Sequence, residues 1–199
     1  MSSTDDRRRT NALKGMMILL LAFIICSDGS AMAATIYDGD VLSAETLIAS
    51  GDNESAINVS GTAKADVSGA TIQKKAGSAS SVDTAGFCGV NSAVRVYDKA
   101  VLTIADSVIE TSASNVTDVF AYDGGTIHIS DYIVTVTGSG AGGVQVAGGG
   151  TLIGENLTVT SASKAAIRSD RGGGTYTSTG KNGCPAIYSM ADITVKNAT

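Results

Sequence analysis

Four segments of this chain can be laid over one another. They are SAVRVYDKAVLTIADSVIETSAS from Ser92, TDVFAYDGGTIHISDYIVTVTGS from Thr117, GGVQVAGGGTLIGENLTVTSAS from Gly142 and AAIRSDRGGGTYTSTG from Ala165. Each opens on a short apolar alternation, turns through a polar or glycine-rich corner and begins a second alternation; the first three go on to a third apolar stretch. A unit this short cannot bury its apolar side alone. Self-similarity at about 25 residues therefore predicts a solenoid, in which each coil covers its neighbour. Such folds offer long surfaces rather than deep pockets.

First-strand apolar positions are Val94/Val96, Val119/Ala121, Val144/Val146, Ile167 and Ile187. Second-strand positions are Leu102/Ile104, Ile127/Ile129, Leu152, Tyr176 and Ile193/Val195. A third stretch holds Val108-Ile109, Ile133-Val134 and Leu157/Val159. Alternation sends every second side chain inward, and equal levels stack about 4.8 Å apart. An earlier, degenerate coil reads SAINVSGTAKADVSGATIQKKAGSA from Ser55. Ile57 and Val94 share a level, so the segment Ser78–Asn91 is in excess and predicts an extruded loop. Residues 34–54 are expected as an N-terminal cap or opening strand and residues 55–199 as about six coils, incomplete at the C-terminus.

Composition agrees. Trp is absent, Pro185 is the only proline, and Gly, Ala, Ser, Thr and Val dominate. Small and β-branched residues suit tightly stacked strands, and no segment after residue 50 holds a helical period. Asp123-Gly124-Gly125, Gly148-Gly149-Gly150 and Gly172-Gly173-Gly174 recur at one phase, as corners that need positive φ. No helix follows them, which excludes a phosphate-cradling loop.

The start of the chain reads as an address. Arg7, Arg8, Arg9 and Lys14 precede the apolar run Met16–Cys26, and Ala31-Met32-Ala33 follows. This is the order of a secretory signal peptide, residues 1–33, and the run is too short to span a bilayer. Cleavage predicts a secreted or cell-surface protein beginning at Ala34, with no later membrane span. The leader holds four basic and three acidic residues, so its loss takes the net charge from −5 to −6. An acidic chain without a basic cluster is a poor nucleic-acid binder.

The segments AYDGGTIHIS, VAGGGTLIG and SDRGGGTYTS, with following strands such as ENLTVTSAS, resemble the right-handed parallel β-helix of the pectate-lyase-like and adhesin-like group of secreted proteins. The resemblance covers residues 55–199. It implies an all-β right-handed parallel β-helix, and surface attachment or polysaccharide handling. The same coil serves adhesins, lyases, hydrolases and autotransporter passengers, so it does not choose among them.

Candidate sites follow from position. Asp98, Asp123 and Asp170 occupy equivalent corners, with Arg95, Lys99, Arg168 and Arg171 near in phase. Pectate-lyase-type chemistry binds calcium through carboxylates with a basic residue abstracting the proton, so a calcium site at Asp98 and Asp123 is an open reading. The alternative is turn stabilisation, because each coil offers one carboxylate and calcium takes six to eight oxygens. Tyr97 and Tyr122 share a phase and predict an aromatic ladder that either stabilises neighbouring strands or stacks on sugars. Tyr132, Tyr176 and Tyr188 are further sugar-stacking candidates. Asp106, Glu110, Asp131 and Glu155 fall around one side of the coil as candidates for paired-carboxylate hydrolysis.

His128, the only histidine, alternates with Ile127 and Ile129 and is expected to point outward, which leaves no buried Ser/His/Asp triad. Cys88 and Cys184 belong to coils about four steps, or about 19 Å, apart. A disulfide needs Cα atoms within roughly 7 Å, so two free thiols are expected. Sequons at Asn53, Asn58, Asn115, Asn156 and Asn197 matter only in a glycosylating host.

The sequence thus predicts a non-enzymatic, adhesin-like module. It would bind extended ligands such as glycans or cell-surface polymers through a flat strand face or the Ser78–Asn91 loop, with Tyr97, Tyr122, Asp98 and Asp123 as binding residues. A polysaccharide lyase or hydrolase and a stalk segment are the alternatives. The last coil is expected to pair with further coils or another subunit.

Overall fold

The computed structural model of the chain describes residues 34–161, 166–169, 174–179 and 193–196. The leader expected over residues 1–33, and Asp170, Arg171, Cys184, Ile187, Tyr188 and Asn197, lie outside the described residues. The fold is a parallel β-solenoid of about five turns.

Coil one contains β1 (Ala34–Ile36), β2 (Val41–Ser43) and β3 (Thr46–Ala49). Coil two contains β4 (Ile57–Val59), β5 (Lys64–Ser68) and β6 (Thr71–Lys74). A helix, α1 (Val82–Cys88), comes next. Coil three follows as β7 (Val94–Val96), β8 (Val101–Ala105) and β9 (Val108–Thr111). In coils four and five the second and third strands merge: β10 (Thr117–Ala121) precedes β11 (Thr126–Val136), and β12 (Gly142–Val146) precedes β13 (Gly150–Ser161). The described strands end with β14 (Ile167–Ser169), β15 (Gly174–Thr179) and β16 (Ile193–Lys196).

Residues 34–54, expected as a cap or opening strand, supply a full set of three strands, each paired in register with coil two. Their repeat is hard to see because β1 and β2 are three residues each. Ile57, Val94, Val119, Val144 and Ile167 share one level of the first face. Ala65, Leu102, Ile127 and Leu152 share one of the second. Leu47, Ile72, Ile109, Val134 and Val159 share one of the third. All but Ile167, whose side chain lies outside the described ones, belong to one continuous core. Burying each large aliphatic side chain stabilises the coil by about 1.5–3 kcal/mol.

Two corners have different physics. Between the second and third strands the chain turns on a single left-handed residue: Ala44, Gly69, Asp106, Asp131 and Asn156, with φ between 48° and 60°. Asn and Asp tolerate that region better than most residues. Between the first and second strands of coils three to five the turn uses two left-handed residues, Asp98-Lys99, Asp123-Gly124 and Gly148-Gly149. The glycine that follows each of the last two pairs is different. A Cβ on Gly125 or Gly150 would lie 2.3 or 2.2 Å from a carbonyl oxygen of the coil below, so these positions need space rather than positive φ.

The interior also carries polar groups. Lys74 stands in an inward column with Ala49, Thr111, Val136 and Ser161. It is fully buried, and its Nζ donates to the Gly51 carbonyl at 2.8 Å. Burial lowers its pKa, against the opposing pull of Glu54 and Asp52.

Candidate functional site

The segment expected as an extruded loop instead folds back as α1. Ser81 caps the helix: its Oγ accepts from the Thr84 N–H at 3.0 Å, while Thr84 Oγ1 accepts from the Ser81 N–H at 3.1 Å. Gly89 ends it in the left-handed region, φ 66°. This is a capping box with Thr in place of the usual Glu. The pattern Ser81-x-x-Thr84 and the following Gly89 were readable in the sequence, but seven residues are too few to show a helical period.

One outward column of the first face holds the helix. Arg95, Phe120 and Gln145 occupy equivalent positions in coils three, four and five. Arg95 Nε donates to the Cys88 carbonyl at 2.7 Å. Gln145 Nε2 donates to the Gly86 carbonyl at 2.6 Å, and its Oε1 accepts from Thr117 Oγ1 at 3.1 Å. The Phe120 ring lies so close under Gly89 that a Cβ there would sit 2.5 Å from its Cγ. Phe120 and Gln145 are thereby buried on what is otherwise the outside of the coil.

The helix and the turns that leave the third strands border an open polar trough. One concavity of about 380 Å³ is lined by Lys75, Ser78, Ser81, Val82, Ser112 and Asn115, among others. A second, of about 290 Å³, is lined by Gln73, Lys75, Glu110, Ser112, Thr135 and Thr137, with Thr111. Lys75 and Ser112 line both, so the two adjoin. The trough opens onto the third face, where outward columns run Thr46-Thr71-Val108-Ile133-Thr158 and Ile48-Gln73-Glu110-Thr135-Thr160. Ile133 on this face is 49% exposed. Composition hid this face, because a Thr on an outward strand position looks the same whether or not it borders a trough.

The predicted binding residues do gather at the first corner. Tyr97 and Tyr122 follow paired strands in neighbouring coils. The Arg95 guanidinium lies 4.0 Å from the centre of the Tyr97 ring, a cation–π contact. The Tyr122 ring packs against Gly148 of the next coil. Its hydroxyl meets the Cys88 thiol, whose charge and hydrogen bond, followed by burial and Asp123, raise the phenol's pKa while Arg95 opposes them. Asp98 and Asp123 are exposed turn residues, and the Lys99 N–H donates to the Asp123 carbonyl at 3.2 Å. Cys88 is a free thiol.

The carboxylates expected on one side are divided. Asp106 and Asp131 form the single-residue corner, where Asp131 Oδ1 accepts from Asn156 Nδ2 at 2.9 Å. Glu155 sits beside that corner, whereas Glu110 lies on the third face and accepts from Gln73 Nε2 at 2.8 Å. Tyr132, a sugar-stacking candidate, is buried in the core at 1% exposure, because the Asp131 corner turns the alternation inward at the next residue. His128 is exposed on the second face. Among the described residues no three His, Cys, Asp or Glu side chains converge, and no helix is long and apolar enough to cross a membrane.

The fold and these surfaces define a parallel β-solenoid with a docked helical insertion. No family model matches the sequence, and neither a curated protein nor a solved structure matches it.

Proposed function

We propose that the protein is a secreted or surface-exposed, adhesin-like solenoid module that binds an extended, hydroxyl-rich ligand without chemically altering it. The supporting observation is that the concavities sharing Lys75 and Ser112 are lined in part by outward residues of the third face, Gln73, Glu110 and Thr135. A linear polymer lying across the corner meets hydroxyl donors and acceptors at Ser78, Ser112, Thr135 and Thr137, an exposed ammonium at Lys75 and an apolar rim at Val82. A glycan chain has matching chemistry: hydroxyl groups along its edges and C–H faces on its rings. The Tyr97 and Tyr122 rings already have intramolecular partners in Arg95 and Cys88, and we therefore assign ligand contact to the trough and face rather than to the first corner.

The test is retention on immobilised polysaccharides, repeated with Thr135→Arg and Lys75→Ala. Retention that both variants reduce is the expected result. Failure to bind any polysaccharide overturns the proposal. Release of reducing or unsaturated ends that is lost in Asp123→Ala replaces it with a lyase or hydrolase.

A further inference from the structure

Strand β10 faces two ways at once. Its outward residues hold the helix: Phe120 lies under Gly89, and Thr117 donates to the Gln145 that grips Gly86. Its residue between these, Asp118, goes the other way. Asp118 stands opposite Gly143 in coil five, flanked by the pairs Thr117–Gly142 and Val119–Val144. A Cβ on Gly143 would meet Val159 of the core, so this column points into the solenoid. Val119 also belongs to the core, so the strict alternation breaks between Asp118 and Val119.

Asp118 is fully buried, and neither carboxyl oxygen has a hydrogen-bond partner among the described residues. The Tyr132 hydroxyl, close enough for the two groups to feel each other's charge, is buried and unpartnered as well. Among the described residues no cation compensates an ionised carboxylate in that place. Among the described residues, the charged and titratable groups acting on it are Glu110 from β9, which repels it, and Tyr132 from β11, which is neutral. At its level the neighbouring coils contribute Ala93 and Gly143, neither of them charged. A neutral carboxyl is tolerated there far better than a charged one.

We propose that Asp118 is a pH-sensitive latch for the insertion: with a neutral carboxyl, β10 keeps its place and α1 stays docked, and ionisation loosens β10 and releases the helix. Loosening acts on both grips, since Phe120 is on the strand and Gln145 is hydrogen-bonded to it. Because α1 forms one wall of the trough, release also opens the proposed binding site. That last consequence rests on the adhesin-like reading, whereas the latch itself does not.

The sign is fixed by linkage. Burial, reinforced by Glu110, holds the folded-state pKa well above the ordinary carboxylate value. Below the ordinary value of about 3.9 the carboxyl is neutral in both docked and open states. Above it the open state ionises while the docked state keeps its proton. The opening equilibrium then grows up to about tenfold per pH unit until the docked-state pKa is passed.

Cys88 reports the opening, since its thiol is half-buried against Tyr122 and its carbonyl is held by Arg95. The experiment measures alkylation of Cys88 from about pH 5 to about pH 8 in the wild type and in Asp118→Asn, whose side chain stays neutral. The ratio of the two rates cancels the thiol's own ionisation. A ratio rising severalfold with pH is expected; a flat ratio overturns the latch. A second reading needs no variant: the Asp118 carboxyl carbon is followed by NMR in the wild type. A titration in the ordinary carboxylate range overturns the proposal, and one displaced upward, accompanied by loss of amide protection at Gly86 and Gly89, supports it. Ligand retention measured at a single acidic pH tests the adhesin-like reading separately.

Discussion

Two adjacent glycines provide a control for each other. Gly149 has φ +79° and nothing within 4 Å of a built Cβ. Gly150 needs no positive φ, yet its Cβ would lie 2.2 Å from the Ala121 oxygen, 2.4 Å from the Ala121 carbon and 2.8 Å from the Tyr122 nitrogen. For Gly149→Ala the cost is the left-handed region, about 1–2 kcal/mol, reduced by about 0.4–1 kcal/mol through the stiffer unfolded chain. The net is about 1 kcal/mol. For Gly150→Ala the coils must separate locally by nearly an ångström to bring the contact to 3.0 Å. The corner is held by Ala147 N–H to Ala121 O at 3.0 Å and Thr151 N–H to Gly125 O at 2.8 Å. Neither bond survives that stretch. Losing both, with buried groups left unsatisfied, costs about 3–5 kcal/mol.

The assay is thermal unfolding followed by far-UV circular dichroism. For a domain of this size about 1 kcal/mol corresponds to roughly 2–4 °C in melting temperature, so Gly149→Ala and Gly150→Ala separate clearly. Ala100 occupies the same column as Gly125 and Gly150, two coils below the latter, with its methyl fully buried. If Gly150→Ala costs no more than Gly149→Ala, the upper coils relax to the geometry found at Ala100 and the clash argument is refuted.

Further outcomes follow from the buried polar groups and the helix dock. Lys74→Met raises stability by about 1 kcal/mol or more, because a desolvated ammonium is exchanged for an apolar side chain. Gly51 is exposed, so its carbonyl recovers a water, and a chemical-denaturation midpoint below the wild type's contradicts this. Tyr132→Phe is neutral or mildly stabilising by thermal melting, since the hydroxyl it removes is buried without a partner. Phe120→Ala costs about 3–5 kcal/mol where the site cannot collapse, and amide exchange should show α1 losing protection before the core strands do. Asp118→Asn flattens the decline in melting temperature that the wild type shows as pH rises from about 4. An equal decline in both proteins would assign it to other groups.

The solenoid was legible because its evidence is redundant. Val94, Val119 and Val144 repeat in register, and an error at one coil is corrected by the next. The insertion was legible as an excess of residues, but its helix was not, since what fixes it is a cap at Ser81, a stop at Gly89 and three side chains from three coils. Only the cap and the stop are local. The corner glycines were assigned one cause and have two: positive φ at Gly124, Gly148 and Gly149, close approach at Gly125 and Gly150. A sequence shows the absence of a side chain but not which of these reasons requires it.

Asp118 shows the limit most sharply. Alternation read back from Ala121 and Val119 puts Asp118 outside, where an aspartate is unremarkable. The same alternation puts Phe120 outside, where a large aromatic has no reason to be unless something covers it. These two residues needed a joint explanation. The strand shifts its phase at its first residues, sending Asp118 in, while the insertion covers Phe120. The shift is not needed for a coil to stack, because Gly143 and Ala93 occupy the same column without any charge. A buried unpaired acid therefore weakens coil four at neutral pH relative to an alanine or glycine there, and it does so in the strand that docks the only helix among the described residues. That coincidence of cost and position makes Asp118, rather than any exposed carboxylate, the residue whose titration should be measured.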